Sequence, residues 1–212
     1  MFIFAESGSD VHRYRHNFDN LVFHRPDNCP SCGTANKLIG HGSYPRQPCD
    51  HHQSFPIRVK RFFCKLCHHT VSLLPSFCLP YRHYLAQTIQ GVLSLRMQVG
   101  SSWKTVRSRF SPSELPSLVT CREWTTAFAN GSAIYLEHLL RQLANWQLAP
   151  GRLELAVEDI STKPSPTGQL LAAVPHLLAW LHGHGVQAPT GGIHWLATLS
   201  RWGHAAKLCR LV

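Results

Sequence analysis

The sequence contains no long uncharged apolar run. Its most apolar region, Leu170 to Leu181, is interrupted by Pro175 and His176, and no stretch reaches the ~18 apolar residues that a membrane-spanning helix needs. The first residues show no basic segment followed by an apolar one, which is the pattern of a secretory signal peptide. We therefore expect a cytoplasmic protein that does not act at a membrane.

Acidic residues are also few, with 11 Asp and Glu against 21 Lys and Arg. Enzymes that cut DNA on an RNase H-like sheet use two or three carboxylates to hold paired Mg²⁺. After residue 150 the acidic side chains are Glu154, Glu158 and Asp159, clustered on one short segment. The remaining ~60 residues are too few for such a domain, and they hold too few arginines for the site of a serine or tyrosine recombinase. We therefore predict that the chain is not an enzyme and has no catalytic residue.

Cysteine, by contrast, is well represented, and four of the eight cysteines form two Cys-x2-Cys pairs. The first pair is Cys29-Pro-Ser-Cys32, followed by Gly33, and the second is Cys64-Lys-Leu-Cys67. Such pairs place four thiolates so that they converge on one tetrahedral Zn²⁺. Without a secretion signal they are more typical of a metal site than of disulfides. We predict one structural zinc ion, bound by all four of these cysteines.

The segment between the two pairs, residues 33–63, is longer than the ~15–20 residues that usually separate the pairs of a zinc ribbon. It must therefore hold a hairpin plus a loop. Cys49, His51 and His52 lie in this segment and are competing ligands. The sequence leaves open whether any of them contributes to the metal site.

The net charge of +10 is unevenly distributed. Residues 1–110 hold 14 Lys and Arg against 5 Asp and Glu, whereas residues 111–212 hold 7 against 6. Neutralisation of phosphates, with release of counterions, is the main non-specific source of affinity for nucleic acids. A basic half beside a zinc ribbon therefore indicates a polyanion partner, and we predict double-stranded DNA.

Alternation of apolar and polar residues predicts a small antiparallel sheet around the cysteine pairs. We expect one strand to leave the first pair at Leu38 and Ile39 and another to run from Phe55 into the second pair. A third is expected at Thr70 to Leu74, and a separate short strand at Phe2 to Ala5. The segment Gly40-His-Gly42 predicts a turn.

From Tyr81 the apolar period becomes that of helices. One helix is predicted over about Tyr84 to Gly100, and a second, capped by Ser101 or Ser102, over Trp103 to Phe110. Two more are predicted over Cys121 to Phe128, with Thr120 and Glu123 as a capping box, and over Ser132 to Gln147. The order favours a helix-turn-helix unit, although the loop of about nine residues before Thr120 exceeds the usual tight turn of 3–4, and an ordinary helical bundle remains the alternative.

The predicted fold is α+β: a four-cysteine zinc ribbon with a small antiparallel sheet, then a helix-turn-helix-like helical region, then C-terminal helices. The corresponding domains are residues 1–80, 81–148 and 149–212. In the last of these, helices are predicted over Gln169 to His182 and Gly192 to Leu211. We expect this segment to bind a recombinase or transposase partner, or a second copy of the chain.

An ordered series of motifs resembles the zinc-ribbon head of transposases and of related small proteins of bacterial mobile elements, including zinc-ribbon/helix-turn-helix families known only as domains of unknown function. The resemblance covers about residues 20–100 and implies DNA binding within a transposon or integrated element, in a nucleoid-associated protein. Its motifs are Cys29-Pro-Ser-Cys-Gly, His41-Gly-Ser-Tyr, Val59-Lys-Arg-Phe-Phe-Cys64-Lys-Leu-Cys67, Thr70-Val-Ser-Leu-Leu-Pro75 and Leu79-Pro-Tyr-Arg82.

The predicted function is therefore that of a zinc-dependent DNA-binding accessory factor or regulator in transposition or recombination. Ten basic residues are predicted to contact DNA, and Arg122, in the first turn of its predicted helix, is expected to read bases in the major groove. The residues expected to meet phosphates or to position the protein are Lys37, Arg46, Arg58, Lys60, Arg61 and Lys65 on the ribbon and Lys104, Arg107 and Arg109 in the helical region.

Two other functions stay open. In the first, the chain is an adaptor whose ribbon binds a recombinase or polymerase instead of DNA. In the second, it is a metal-dependent nuclease with a catalytic zinc held by histidines, although a closed site of four cysteines offers no open coordination position. The histidines available for such a site are His41, His51, His52, His68 and His69.

Overall fold

The computed structural model describes residues 2–5, 10–111, 115–145, 158–183, 195–205 and 208. The chain has a mixed α+β fold, as predicted, and divides into two compact units, one ending at Ala86 and the other beginning at Gln87. The three-domain division at residues 80 and 148 stays a prediction. None of the helices in these described ranges combines the length and the apolar character needed to cross a membrane.

The first unit contains a four-stranded sheet in the order β1-β4-β3-β2. Three strands are antiparallel, namely β2 (Leu38–Arg46), β3 (Ile57–Cys64) and β4 (Thr70–Pro75). The short strand predicted near the start, β1 (Phe2–Ala5), is present and pairs in parallel with β4. The three predicted strands of the ribbon are thus confirmed, and a fourth strand joins them at one edge.

The turn predicted at Gly40 to Gly42 is wrong, because β2 continues through this segment as a bulge. The pairing of β2 with β3 shifts between Gly40 and Ser43, and Gly42 adopts a φ of +66°. A bulge of this kind inserts extra residues into one strand and bends it. The glycine therefore serves the bulge, and the loop begins only after Arg46.

The sheet buries opposite faces at its two ends. In β3, Ile57 and Val59 belong to one apolar cluster, whereas Phe62 and Cys64 belong to another. Because successive side chains of a strand alternate between faces, the odd-numbered and even-numbered residues of β3 enter different cores. The first core also holds Val11, Tyr14, Phe18, Phe55, Leu74, Phe77, Cys78 and Leu85, and the second holds Cys29, Leu38, Val71 and Leu73.

The first core is covered by helix α1 (Val11–Asn17), which is not among the elements predicted from the sequence. A short 3₁₀ turn, Phe18–Asn20, extends this helix. Asp10 caps α1, since its carboxylate accepts a hydrogen bond from the Arg13 NH (2.9 Å). Tyr14 is fully buried, and its hydroxyl donates to the carbonyl oxygen of Arg58 (2.9 Å). This bond ties the helix to strand β3.

The second unit begins within helix α2 (Ala86–Leu93), which continues as a turn of π-helix at Ser94–Gln98. Helix α3 has the predicted bounds, Trp103–Phe110, and Ser102 caps it by accepting a hydrogen bond from the Thr105 NH (3.2 Å). Both the helix and its cap are confirmed.

The two helices predicted over Cys121 to Phe128 and Ser132 to Gln147 are one helix, α4 (Leu118–Asn145). Asn130-Gly131 does not end it, because buried side chains recur every three or four residues on both sides of Gly131. Their packing outweighs the cost of about 1 kcal/mol that an interior glycine imposes on a helix. These buried residues are Trp124, Phe128, Ser132, Tyr135 and Leu139.

The capping box predicted at Thr120 and Glu123 is also wrong. The cap is Ser117, whose Oγ accepts a hydrogen bond from the Thr120 NH (3.1 Å) and lies 3.0 Å from Thr120 Oγ1. A serine at this position satisfies one of the NH groups that a helix leaves unpaired in its first turn. Arg122 consequently lies in the second turn of α4, not in the first.

The predicted C-terminal helices are present as α5 (Pro166–Gly183) and α6 (Trp195–Ala205), and the predicted ends of the second, at Gly192 and Leu211, lie outside the described residues. Helix α5 packs against α4, where the hydroxyls of Ser132 and Thr167 lie 2.9 Å apart. In α6, the Leu196 NH donates to Gln90 Oε1 (3.1 Å). For residues 153–157 the sequence predicts a short strand or the end of a helix, and these residues lie outside the described part of the chain.

Candidate metal centre and nucleic-acid interface

The four cysteines of the two pairs form one cluster in which all Sγ atoms lie within 4.8 Å of one another. Cys29 Sγ is 3.7 Å from Cys67 Sγ, and Cys32 Sγ is 3.8 Å from Cys64 Sγ. Disulfide sulfurs lie about 2.05 Å apart, so these are free cysteines. A tetrahedron with metal–sulfur distances of about 2.3 Å has sulfur–sulfur edges of about 3.8 Å. The cluster could therefore bind a metal ion.

Two equivalent turns of the backbone build this cluster. In the first, the Gly33 NH donates to the carbonyl oxygen of Cys29 (2.8 Å), and the Cys29 NH donates to that of Thr34 (3.0 Å). In the second, the His68 NH donates to the carbonyl oxygen of Cys64 (3.0 Å), and the Cys64 NH donates to the carbonyl oxygen of His69 (3.0 Å). Each pair of cysteines is thus held by the same two hydrogen bonds, so that both thiols of a pair point to one centre.

The hydrogen bonds around the sulfur atoms favour thiolates at two of the four positions. Two hydrogen bonds with Thr34 lower the pKa of Cys32 to about 6. The larger effect comes from the bond between Thr34 Oγ1 and Cys32 Sγ (3.5 Å), and the smaller from the Thr34 NH. The NH groups of Cys67 and Leu66 likewise lower the pKa of Cys64. Thiolates are the form in which cysteine binds metal. At Cys67 the His69 NH acts in the same direction, but burial and the neighbouring cysteine thiols outweigh it and raise the pKa to about 11. The contacts at Cys32 and Cys64 therefore favour a cation at the cluster.

The competing ligands of the intervening loop do not join this cluster. Among the described residues, the only group of three or more His, Cys, Asp or Glu side chains with the geometry of a metal site consists of the four paired cysteines. Cys49 pairs instead with the backbone of Ser54 and Tyr84, and the pKa of its thiol is raised by burial. The nuclease alternative therefore gains no histidine ligand set in this part of the chain.

Two further cysteines, Cys78 and Cys121, are fully buried in apolar surroundings. Burial raises the pKa of Cys78 to about 12 and that of Cys121 to about 11. Buried thiols of this kind behave as small apolar side chains. They contribute to the cores and not to the candidate metal centre.

Two of the ribbon arginines predicted to meet phosphates already have partners within the protein. The guanidinium of Arg46 donates to the carbonyl oxygens of Leu79 (2.7 Å) and Arg82. Arg58 lies 2.5 Å from the carboxylate of Asp19 and 4.3 Å from the centre of the Phe18 ring. These contacts hold the loop after β4 and the segment after α1 against the sheet.

The other ribbon residues lie closer to the cysteine pairs. Lys37 and Lys65 are exposed, and the Lys65 NH donates to the carbonyl oxygen of Lys37 (3.0 Å), so the two lysines lie side by side beside the cluster. Lys60 and Arg61 are half-buried on β3, and the Arg61 guanidinium lies 5.4 Å from the centre of the Tyr44 ring. The structure thus brings Lys37 and Lys65 together from distant positions in the sequence.

In the second unit, Lys104, Arg107, Arg109 and Arg122 are all exposed. Arg122 lies beside Trp103, with its guanidinium carbon 5.4 Å from the centre of the indole ring.

A second arginine, Arg96, lies 5.2 Å from the centre of the same ring. Neither Arg96 nor Trp103 is among the candidate DNA-contacting residues predicted from the sequence. No local spacing indicates this arrangement, because its members come from the π-helical turn, from α3 and from α4.

One family profile, described as "Domain of unknown function (DUF6431)", matches residues 29–108. The match begins at the first cysteine of the cluster and ends within α3. No curated protein matches the chain. No solved structure matches it either.

Proposed function

We propose that this chain is a metal-dependent, duplex-DNA-binding protein that carries out no catalysis itself. In this proposal the metal is zinc and the role is that of an accessory factor or regulator of a bacterial mobile element. The observation that carries the proposal is the distribution of charge along the sequence between Asp50 and Glu114.

No acidic residue occurs between Asp50 and Glu114. This stretch runs through β3, the second cysteine pair, β4, α2 and α3. No carboxylate lies within this stretch of the sequence, so its own charged side chains are all basic, and one of them, Arg58, is paired with Asp19 from outside the stretch. A polyanion is attracted by such an excess of positive charge. Its nine basic residues are Arg58, Lys60, Arg61, Lys65, Arg82, Arg96, Lys104, Arg107 and Arg109.

The donor set supports zinc as the metal. Four sulfur ligands in a tetrahedral arrangement suit Zn²⁺ or an iron–sulfur centre, and two Cys-x2-Cys pairs are typical of structural zinc sites. Cys29, Cys32, Cys64 and Cys67 would hold the ion, which would join the strands of a core of few apolar residues. With all four ligands supplied by protein, such a site is structural and not catalytic.

The link to a mobile element rests on the resemblance of residues 20–100 to transposase-like zinc ribbons. The matched family carries no functional description, so it adds no argument for or against this role. Acting on DNA together with a recombinase or transposase remains our proposal for the biological setting.

The test is a titration of the full, zinc-loaded chain against a duplex of random sequence at about 50 mM and about 200 mM salt. If about six phosphates are neutralised, affinity should fall about 10³-fold between the two salt concentrations. Lys65→Ala should weaken binding and lower the salt slope by about 1. Arg141→Ala is the matched control, because Arg141 is an exposed arginine paired with Glu137 (2.6 Å), outside the acid-free stretch.

Two outcomes would replace the proposal with one of the alternatives. Absence of binding, or binding equal at both salt concentrations, would favour the adaptor whose ribbon binds a recombinase or polymerase. Cleavage of the duplex after addition of divalent metal ions, lost in a metal-site variant, would favour the nuclease.

A further inference from the structure

The connection between α2 and α3 is a tight turn, whereas seven residues, 111–117, separate α3 from α4. Four residues, Val99 to Ser102, separate the π-helical turn from α3, and Gly100 among them has a φ of +72°. The Ser101 NH donates back to the carbonyl oxygen of Leu95 (3.1 Å) and closes the turn. A turn of 3–4 residues with a glycine is typical of the helix-turn-helix unit, whose second helix enters the major groove. By this criterion the second helix is α3.

The two helices also pack closely. A Cβ atom placed on Gly91 of α2 would lie 2.5 Å from Cζ of Phe110, at the end of α3. Val106, one turn before Phe110, is fully buried. The glycine thus lets the Phe110 ring reach the backbone of α2, and the apolar side of α3 is used in this contact.

The opposite side of α3 is exposed and polar. Lys104 and Ser108 lie one turn apart and about half a helical turn away from Val106. Arg107 and Arg109 are exposed as well. Side chains of these types, on the first turns of a helix, are suited to hydrogen bonds with base edges.

The surroundings of Arg122 on helix α4 differ from those of the exposed polar residues on α3. The same helix buries Cys121 and Trp124, on either side of Arg122, in the apolar interior of the second unit. Arg122 itself lies over Trp103 at the start of α3, where Arg96 also lies over the ring. No ion pair joins Arg96 or Arg122 to a carboxylate in the described part of the chain. Both guanidinium carbons therefore lie within 5.4 Å of the centre of one indole ring at the start of α3, and Arg96 also donates a hydrogen bond to the carbonyl oxygen of Ser101 (3.3 Å).

From these observations we infer that α3 reads the DNA sequence through Lys104 and Ser108, while Arg96 and Arg122, which both lie beside the Trp103 ring, bind the phosphate backbone. This inference rests on the proposed function and reverses the role expected for Arg122 from the sequence. The class of ligand at the Arg96–Trp103–Arg122 site is a phosphodiester of duplex DNA. Guanidinium groups suit phosphate because their NH groups match its oxygen atoms in pairs.

The test begins with selection of a preferred duplex from a random library by the full, zinc-loaded chain. Binding of each variant to the selected and to a scrambled duplex is then measured at two salt concentrations. Lys104→Ala should reduce the preference for the selected duplex about tenfold. Arg122→Ala and Arg96→Ala should weaken binding to both duplexes alike and lower the salt slope by about 1 each.

Arg122→Lys supplies a conservative variant, since it keeps the charge but loses the planar guanidinium and its paired NH groups. It should retain the salt slope better than Arg122→Ala while leaving the preference unchanged. Thermal unfolding of each variant checks that the exposed substitutions leave the fold intact.

The results separate this inference from the proposed function. A chain that binds no duplex overturns both. A chain that binds duplex DNA but selects no sequence, or one in which Arg122→Ala relaxes the preference and Lys104→Ala does not, overturns the inference alone.

Discussion

Gly33 and His68 occupy the same position in the two turns of the candidate metal centre. Each follows the second cysteine of its pair, each donates its NH to the carbonyl oxygen of the first cysteine, and each has a left-handed backbone, with φ of +72° and +59°. Glycine adopts this conformation without steric cost, whereas a histidine does not. His68 therefore has the less favourable backbone conformation of the two. Its ring lies stacked on that of Phe63, with 5.9 Å between the ring centroids.

The metal centre should lose its ion when one ligand is removed. Purified wild-type chain should contain about one zinc per chain, and Cys64→Ser should contain little, because three thiolates leave the tetrahedral site incomplete. Elemental analysis by mass spectrometry measures this directly. Cys49→Ser is the control and should keep its zinc; loss of zinc in that variant would instead place Cys49 among the ligands.

The left-handed backbone at Gly33 predicts a destabilising substitution. Gly33→Ala should lower the free energy of unfolding of the zinc-loaded protein by about 1–2 kcal/mol, since a Cβ is unfavourable at this φ. Gly40→Ala is a matched control, because Gly40 has no such backbone and no atom within 4 Å of an added Cβ. Denaturant unfolding compares the two, and equal effects would contradict the role assigned to Gly33.

The close contact of Gly91 with Phe110 predicts a coupled pair. Gly91→Ala should destabilise the second unit by about 1–3 kcal/mol, as overpacking of a tight contact does. The smaller side chain in Phe110→Leu should recover part of that loss in the double variant. A double-mutant cycle in denaturant gives the coupling energy, and strictly additive effects would show that the two residues do not share this contact.

The cap of α4 can be assigned by substitution. Ser117→Ala should cost about 1 kcal/mol of stability, because the Thr120 NH loses its acceptor. Thr120→Ala should cost less, since Thr120 lies inside the helix and leaves that bond in place. Thermal unfolding followed by circular dichroism distinguishes them, and a larger effect at Thr120 would restore the capping box expected from the sequence.

The sequence was sufficient wherever the signal is local. The two cysteine pairs predict their own convergence, because chemistry and spacing alone restrict the arrangement, and Ser102 predicts the start of α3 by capping. Predictions from the sequence are wrong where packing between residues distant in the sequence determines the structure. Asn130-Gly131 is a strong local stop signal, yet α4 continues through it because Phe128 and Ser132 are both buried. Local propensity contains no information on that burial.

The same limit applies to the candidate interface. Arg122 was expected to read bases because its helix was expected to begin at Cys121, and a start at Leu118 moves it one turn further along. Its neighbour Trp103 is 19 positions away in the sequence, and the Arg96 contact depends on the turn of π-helix before Gly100. Contacts that depend on a tertiary arrangement of three segments have no periodic signature in the sequence.

A sheet that buries one face at one end and the other face at the other end can open from a single end. If a metal ion is bound by the four cysteines, its removal would withdraw support from Phe62 and Cys64, whereas Ile57 and Val59 would stay covered by α1 and by Phe77. The stability of β3 would then differ between its two ends. In the metal-free chain, amide hydrogens near the second cysteine pair should exchange with solvent quickly, while those near Ile57 should stay protected. The supply of metal would then determine whether the end of β3 near the cysteines is folded, without affecting the other end.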